Sequence, residues 1–261
     1  MFKKKIFMRN LDETFDWGNS TETFIEGVSN EIFNELHYEK FYKVSEGDVV
    51  LDLGASVGPF TWSVSDRASK IYSFEPIPDT CKTLEKNVGS FDNVEVINKA
   101  LYHTSGTYRF PFDNNPGEGP CETMSKEEEL RIKNEGIIVN TLSFMDFIKE
   151  YNINKIDFIK TDTEGGEYNL FKDENIHFLK NNVRNIVGEF HLLSESQKTE
   201  FRYFRDKYLS QFKNYTVYSA GGDIDITWSL FKDEPYDSVN VKSLPPFIDY
   251  YNLIYVYISN E

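Results

Sequence analysis

The spacing of apolar residues along the chain predicts strands that alternate with helices. Short continuous apolar runs are typical of buried parallel strands, and we predict such strands at 49–53, 71–75, 93–101, 156–162 and 185–191. Apolar residues at helical spacing predict helices at 21–44, 60–68, 79–88, 144–151 and 194–212. Further runs predict closing strands at 215–219, 224–231 and 253–259. This order indicates an α/β fold in which a doubly wound, mostly parallel sheet carries helices on both faces and an antiparallel C-terminal strand.

The chain divides into an N-terminal part and one larger domain. Residues 1–47 hold a polar tail and the helix at 21–44, which we expect to cover one side of the sheet. Residues 48–261 are enough for a single domain with insertions. Within this domain the periodicity breaks down over 102–136, where prolines and glycines are frequent. Such a stretch is usually a lid or a binding loop, and an insertion without a functional role is the alternative.

A glycine-rich turn after the first predicted strand is the first candidate ligand site. Its glycines remove side chains where the backbone must pass close to a bound group. In open α/β sheets, ligands bind outside the carboxyl ends of the strands, which is where this turn lies. We therefore expect ligand contacts from the turn, at Asp52, Gly54, Ala55, Ser56 and Gly58.

The turn also limits the kind of ligand. A dinucleotide fingerprint requires glycine at the position occupied by Ser56. A phosphate-binding loop requires a lysine directly after the glycines, and no lysine follows the glycines of this turn. Glu75 ends the second predicted strand, where its carboxylate can accept both ribose hydroxyl hydrogens. A ligand with ribose and adenine but no phosphate fits these residues, and S-adenosylmethionine is such a ligand. The remaining predicted cofactor contacts are Pro76, Asn98, Ala100 and Asp162.

A second group of polar residues lies at the ends of the fourth and fifth predicted strands. Asp162 and His191 are candidate general bases there, with Glu189 placed to orient the imidazole. Lys160 is a further candidate base, or a counter-charge for a buried carboxylate. A Mg²⁺ site formed by Asp162, Glu164 and Glu189 is the alternative, because Mg²⁺ prefers oxygen ligands. The sequence leaves both ways of activating an alcohol open.

The amino-acid composition limits the classes of molecule that this protein is expected to bind. The chain has 28 Lys and Arg against 43 Asp and Glu, and its net charge of −15 would repel a nucleic-acid backbone or an anionic membrane. We expect a small-molecule or glycan acceptor instead, and a homo-oligomer remains open. Cys81 and Cys121 lack metal-ligand spacing, which favours a reducing compartment. No apolar stretch follows the charged start and none could span a bilayer, so we expect a cytoplasmic protein.

Three motifs mark the predicted ligand-binding edge of the sheet. Residues 52–58 read Asp-Leu-Gly-Ala-Ser-Val-Gly, 74–76 read Phe-Glu-Pro, and 160–167 read Lys-Thr-Asp-Thr-Glu-Gly-Gly-Glu. Together they resemble the FkbM family of S-adenosylmethionine-dependent O-methyltransferases, and the resemblance runs from about residue 48 to 192. It implies a class I (Rossmann-like) methyltransferase fold and methyl transfer to a hydroxyl, often on a sugar or a glycosylated small molecule. Ser56 and Gly166 replace the commoner Asn and Ala, and neither replacement would block the cofactor.

Two other functional classes share parts of this pattern. A nicotinamide-dependent oxidoreductase would share the sheet and Glu75, but the missing central glycine is evidence against it. A non-catalytic module would bind S-adenosylmethionine without turnover, and the polar group at the end of each predicted parallel strand makes that reading less attractive. A purely structural strand–turn–helix is a further alternative, because isolated Gly-x-x-x-Gly turns are weak motifs.

Overall fold

A seven-stranded sheet forms the centre of the protein. The computed structural model describes residues 15–110, 136–230 and 251–261. The main sheet contains β1 (Val49–Leu53), β2 (Lys70–Phe74), β3 (Val94–Ile97), β7 (Ile156–Thr161), β8 (Val183–His191), β9 (Asn214–Ser219) and β10 (Leu253–Ser259). A smaller, three-stranded sheet contains β4 (Ala100–Leu101), β5 (Gly106–Phe110) and β6 (Ile137–Leu142).

The strand order of the main sheet opens a crevice beside its central strand. The order is β3-β2-β1-β7-β8-β10-β9, in which the first five strands are parallel and β10 is antiparallel to both of its neighbours. The chain moves outward from β1 to β3 and then returns to form β7 on the other side of β1. Such a reversal of direction creates a ligand-binding crevice at the carboxyl ends of the two strands.

The helices cover both faces of this sheet. They are α1 (Glu22–Ser29), α2 (Pro59–Val64), α3 (Pro78–Val88), α4 (Phe144–Glu150), α5 (Asp173–Asn182) and α6 (Glu195–Tyr203). Turns of π-helix continue α1 over Asn30–Glu35 and α6 over Phe204–Tyr208, and 3₁₀ turns lie at Glu167–Leu170, Leu209–Gln211 and Thr227–Ser229. The side chains of Thr21, Ser143 and Ser194 each accept a backbone N–H at a helix start. Of the helices in the described ranges, none combines the length and apolar character needed to cross a membrane.

Two apolar clusters explain why the central strands are apolar without alternation. Leu51, Ile159 and Ile186 belong to the cluster on one face of the sheet. Val50, Phe158 and Val187 belong to the cluster on the other face. Consecutive residues of a strand point to opposite faces, so a strand covered on both sides carries apolar residues on both faces instead of alternating apolar with polar ones. The predicted doubly wound, mostly parallel sheet and its antiparallel C-terminal strand are confirmed.

The structure corrects several predicted segments. The helix predicted at 21–44 ends near Leu36, whose φ of 54° is left-handed. The strand predicted at 93–101 is two strands in different sheets, β3 and β4. No strand spans the described part of 224–231, where Asp225 forms only an isolated bridge and a 3₁₀ turn follows.

The predicted irregular insertion at 102–136 is also wrong in part. Its residues Gly106–Phe110 form β5, which pairs antiparallel with β6. Residues 111–135 of this insertion, which include Cys121, lie outside the described residues.

Candidate active site

A cavity of about 610 Å³ opens at the carboxyl ends of the parallel strands. Its walls come from the turn after β1, the end of β2, the loop after β7 and the segment that precedes β1. The predicted cofactor residues that line it are Gly54, Ala55, Ser56, Glu75, Pro76, Ala100 and Asp162. Asp162, Glu164 and Glu189 line one side together, and we call these three residues the acidic wall.

The turn after β1 requires glycine because it lies against the loop after β7. Gly54 has a φ of +75°, and a Cβ atom there would lie 1.7 Å from the carbonyl oxygen of Asp162. The backbone N–H groups of Gly54 and Ala55 both donate to the carbonyl oxygen of Phe74. Gly58 lies outside the cavity wall, and a Cβ atom there would approach Leu84 of α3 to 2.7 Å. Gly58 therefore serves the packing of the turn on α3.

Glu75 is a buried carboxylate held by the backbone. Its Oε2 accepts the N–H of Ser56 at 3.1 Å, and its Oε1 accepts the N–H of Ile77 at 2.9 Å. Burial raises the pKa of Glu75 to about 7, although both N–H groups act to lower it. Asn98 supports this loop from outside the cavity wall, since its Nδ2 donates to the carbonyl oxygens of Glu75 and Pro76. Each Glu75 oxygen retains capacity for a further donor.

Lys160 joins the two loops that meet at the cavity. Its Nζ donates to the carbonyl oxygen of Gly54 at 2.7 Å and lies 3.3 Å from Asp52 Oδ1 and 3.7 Å from Asp162 Oδ2. Burial alone would lower the pKa of Lys160, but the two carboxylates outweigh burial and raise it. Asp52 is fully buried beneath the cavity and accepts the Thr61 hydroxyl at 2.7 Å. Of the two roles predicted for Lys160, this arrangement fits that of a counter-charge better than that of a general base, because Lys160 keeps its proton.

Two tyrosine hydroxyl groups connect the acidic wall to the N-terminal segment. The Tyr38 hydroxyl lies 3.0 Å from Asp162 Oδ2 and 3.1 Å from Glu189 Oε2. The Tyr255 hydroxyl lies 2.8 Å from Glu189 Oε2 and 2.5 Å from Glu31 Oε1. Burial raises the pKa of Asp162 to about 6 and raises that of Glu189 well above its usual range. Lys160 lies 3.7 Å from Asp162 Oδ2 and favours the ionised form of this carboxyl group.

His191 lies behind the acidic wall rather than in the cavity lining. Its Nδ1 lies 3.3 Å from Glu167 Oε1, and its Nε2 lies 3.2 Å from Glu164 Oε2. Burial alone would lower the pKa of His191, but these carboxylates outweigh burial and raise it well above the usual value. The predicted orienting residue, Glu189, is 3.8 Å from Nε2, so Glu167 takes that position at Nδ1 instead. The donor atoms of Asp162, Glu164 and His191 all lie within 4.8 Å of one another.

Sequence reasoning missed the partners that surround these residues. Glu167 lies inside the third motif, but its spacing alone does not reveal contact with His191. Tyr38 lies 124 positions from Asp162 and outside every motif. Tyr255 pairs in register with Glu189 across β8 and β10, and only knowledge of that register would have identified it.

Comparisons with known proteins agree with the motifs. Residues 52–217, more than half of the chain, match the family described as Methyltransferase FkbM domain. Over 56 residues the chain is 34% identical to Ribosomal RNA small subunit methyltransferase A of Alkaliphilus oremlandii (strain OhILAs). This match covers 22% of the chain and 20% of that relative, so the chain spans about a fifth of its length.

Two solved structures align at low identity. An rRNA methylase from Streptococcus thermophilus aligns over 84% of this chain and 90% of its own, with a TM-score of 0.42 and 10% identity. SMU.1697c from Streptococcus mutans, solved in complex with SAH, aligns over 83% of this chain and 90% of its own, with a TM-score of 0.42 and 11% identity.

Proposed function

The chain belongs to the FkbM methyltransferase domain family, and from this premise we propose that it transfers the methyl group of S-adenosylmethionine to a hydroxyl of a sugar or glycosylated small molecule. Its fold is the class I (Rossmann-like) methyltransferase fold. A single cavity carries the proposal, because it joins the turn at Gly54, the Glu75 carboxylate and the acidic wall. A cofactor and an acceptor could therefore meet in one space.

The cofactor would occupy the side of the cavity formed by Gly54, Ala55, Ser56 and Glu75. Glu75 would accept the two ribose hydroxyl groups, because its oxygens are fixed by backbone N–H groups and can each accept one more donor. Ala100 and Pro76 would border the base. Neither phosphate nor pyrophosphate is needed for this arrangement, which favours S-adenosylmethionine over NAD.

The acceptor would lie against the acidic wall. Carboxylates accept hydrogen bonds from hydroxyl groups, so a wall of carboxylates suits a polyhydroxylated acceptor and disfavours an anionic one. The net charge of −15 acts in the same direction against an RNA backbone. Because the names of two similar proteins refer to ribosomal RNA, RNA belongs among the acceptors tested.

Methyl transfer from a sulfonium is an in-line displacement, so the acceptor oxygen must be held near the methyl group and must lose its proton. Two mechanisms are compatible with the acidic wall. In the first, Asp162 takes the proton directly, since it lines the cavity and Lys160 beside it favours its ionised form. In the second, residues of the acidic wall would hold a divalent cation that would make the hydroxyl more acidic, with Mg²⁺ as the ion predicted from the sequence. Chelation by EDTA would abolish turnover only in the second mechanism.

A transfer assay with methyl-labelled S-adenosylmethionine tests the proposal. The panel would contain glycosides, matched deoxy analogues that lack one hydroxyl, and ribosomal RNA. We expect label in a glycoside and none in its deoxy analogue, with the methylated oxygen located by mass spectrometry. Label in RNA would contradict the acceptor class. Tight binding of SAH without transfer to any hydroxyl compound would favour a non-catalytic module, and preferential binding of NAD would favour an oxidoreductase.

A further inference from the structure

Three acidic side chains, Glu31, Glu164 and Glu189, interact with Asp162 against two cations. The carboxylates of Glu31 and Glu164 oppose its charge, whereas Lys160 and His191 compensate it. Lys160 is also engaged by Asp52 and by the Gly54 carbonyl oxygen. Charge alone does not identify a ligand, because acidic clusters are common on protein surfaces. The position of His191 supplies independent evidence.

The His191 imidazole is fixed by a carboxylate on its far side. Glu167 is fully buried, and its Oε1 accepts the N–H groups of Thr163 at 2.9 Å and Gly165 at 3.0 Å. The same oxygen lies 3.3 Å from His191 Nδ1, so the Nδ1–H group donates toward Glu167, while Nε2 faces Glu164 and would exchange its own proton for a metal ion. An imidazole whose outer nitrogen is held by a carboxylate is the usual arrangement for a metal-binding histidine.

We propose that Asp162, Glu164 and His191 bind a divalent first-row transition-metal ion at the acidic wall. This inference rests on the proposed function only for the role of the ion, not for its binding. In octahedral coordination at about 2.1 Å, neighbouring donor atoms lie about 3.0 Å apart and opposite ones about 4.2 Å apart. His191 Nε2 and Glu164 Oε2 are 3.2 Å apart, and all three donor atoms lie within 4.8 Å. Shifts of a few tenths of an ångström would complete the site.

The donor set distinguishes this site from the Mg²⁺ site predicted from the sequence. Glu189 is engaged by two tyrosine hydroxyl groups, and His191 contributes a nitrogen donor in its place. Mg²⁺ favours oxygen donors, whereas imidazole suits ions such as Fe²⁺ and Zn²⁺, and the two carboxylates also suit Mn²⁺. When bound, such an ion would orient an acceptor hydroxyl and make its proton more acidic.

Mn²⁺ binding by the full-length chain, free of cofactor and acceptor, tests this site. Electron paramagnetic resonance reports free Mn²⁺ and therefore needs no activity. We expect saturable binding that His191→Ala and Glu164→Gln each weaken at least tenfold. Glu167→Gln keeps the His191 imidazole but replaces the carboxylate that accepts its Nδ1–H group with a neutral amide. We expect this variant to weaken Mn²⁺ binding by about 10–100-fold. Mg²⁺ should compete poorly.

A control variant tests whether the loss of Mn²⁺ binding is specific to this site, and a methyl-transfer assay in EDTA tests the role of the ion separately from its binding. His177→Ala removes an exposed histidine of α5 and should leave Mn²⁺ affinity unchanged. Glu164 is 49% exposed, so Glu164→Gln should fold even if His191→Ala does not. No Mn²⁺ binding at millimolar concentration, or binding that Glu164→Gln leaves unchanged, would overturn the proposal. Methyl transfer that persists in EDTA would refute the role of the ion without affecting the proposed function.

Discussion

Glu75 is the residue at which cofactor binding and protonation are most directly linked. Its burial raises its pKa to about 7, whereas a ribose hydroxyl group donates best to the ionised form. The raised pKa means that the free protein loses stability as the pH rises through this value, since the buried carboxyl prefers to be neutral. Cofactor binding should reverse that preference and release a proton.

We therefore predict that SAH affinity rises between pH 6 and about 7 and levels off above that value, where Glu75 is already ionised. Calorimetry in two buffers of different ionisation enthalpy would measure the proton released. Glu75→Gln should bind SAH about 1.5–3 kcal/mol more weakly, since it loses hydrogen bonds to a charged group. Its affinity should not vary over this pH range. A variant with wild-type affinity and pH dependence would contradict the assignment of Glu75 to the ribose.

Lys160 tests the electrostatic support beneath the cavity. Lys160→Met leaves Asp52 as a fully buried carboxylate without its cation, and we predict a loss of about 3–5 kcal/mol in the free energy of unfolding. Urea unfolding would measure this loss. Lys86→Met, which removes an exposed partner of Asp16, should have a much smaller effect on stability, because solvent screens exposed ion pairs. Equal stabilities for the two variants would show that the pair with Asp52 contributes little.

At the scale of elements, the segment between α1 and β1 shapes the acidic wall although it lies outside the family match. Arg67 of the loop after α2 binds Glu39 through two hydrogen bonds, and the Tyr257 hydroxyl donates to the carbonyl oxygen of His37. These contacts flank Tyr38 on both sides. These contacts therefore hold the segment in the position from which the Tyr38 hydroxyl reaches Asp162.

Tyr38→Phe should impair methyl transfer more than cofactor binding. The change removes a hydroxyl from Asp162 and Glu189 and keeps the ring, so we predict at least about a tenfold loss in turnover, corresponding to about 1.5–3 kcal/mol for a hydrogen bond to a charged group. SAH affinity should stay within about twofold, which lies below 1 kcal/mol. Tyr255→Phe is the matched control, since that hydroxyl reaches Glu189 but not Asp162. A larger effect of Tyr255→Phe would contradict the importance of Asp162.

At the scale of the whole molecule, the sequence predicts best those elements that are buried to the same extent along their whole length. Strands β1, β7 and β8 are covered on both faces, so they carry apolar residues on both faces, and their polar ends mark the edge of the sheet. Glu75 and Asp162 could be placed at the cavity for this reason, because parallel strands end at the same edge. Their direct partners could not be placed in that way.

The features that escaped prediction depend on contacts between distant parts of the chain. Ala100–Leu101 leaves the line of β3 because it pairs with Thr141 and Leu142 of β6. The helix predicted at 21–44 stops early, and Tyr38 in the irregular segment that follows reaches Asp162 across 124 positions. The spacing of apolar residues within a short stretch of sequence does not reveal contacts between residues that are far apart along the chain. The three carboxylates of the acidic wall were therefore predicted as one possible Mg²⁺ site, but the tyrosines and the Glu167–His191 pair that surround them were not predicted.

A crystal structure of the protein with SAH measures the central claim directly, because it locates the sulfur atom relative to both sides of the cavity. We predict that both ribose hydroxyl groups donate to Glu75, that the turn at Gly54–Ser56 borders the ligand, and that the sulfur faces the acidic wall. SAH bound with its sulfur turned away from Asp162, or bound outside this cavity, would contradict the proposed site for methyl transfer.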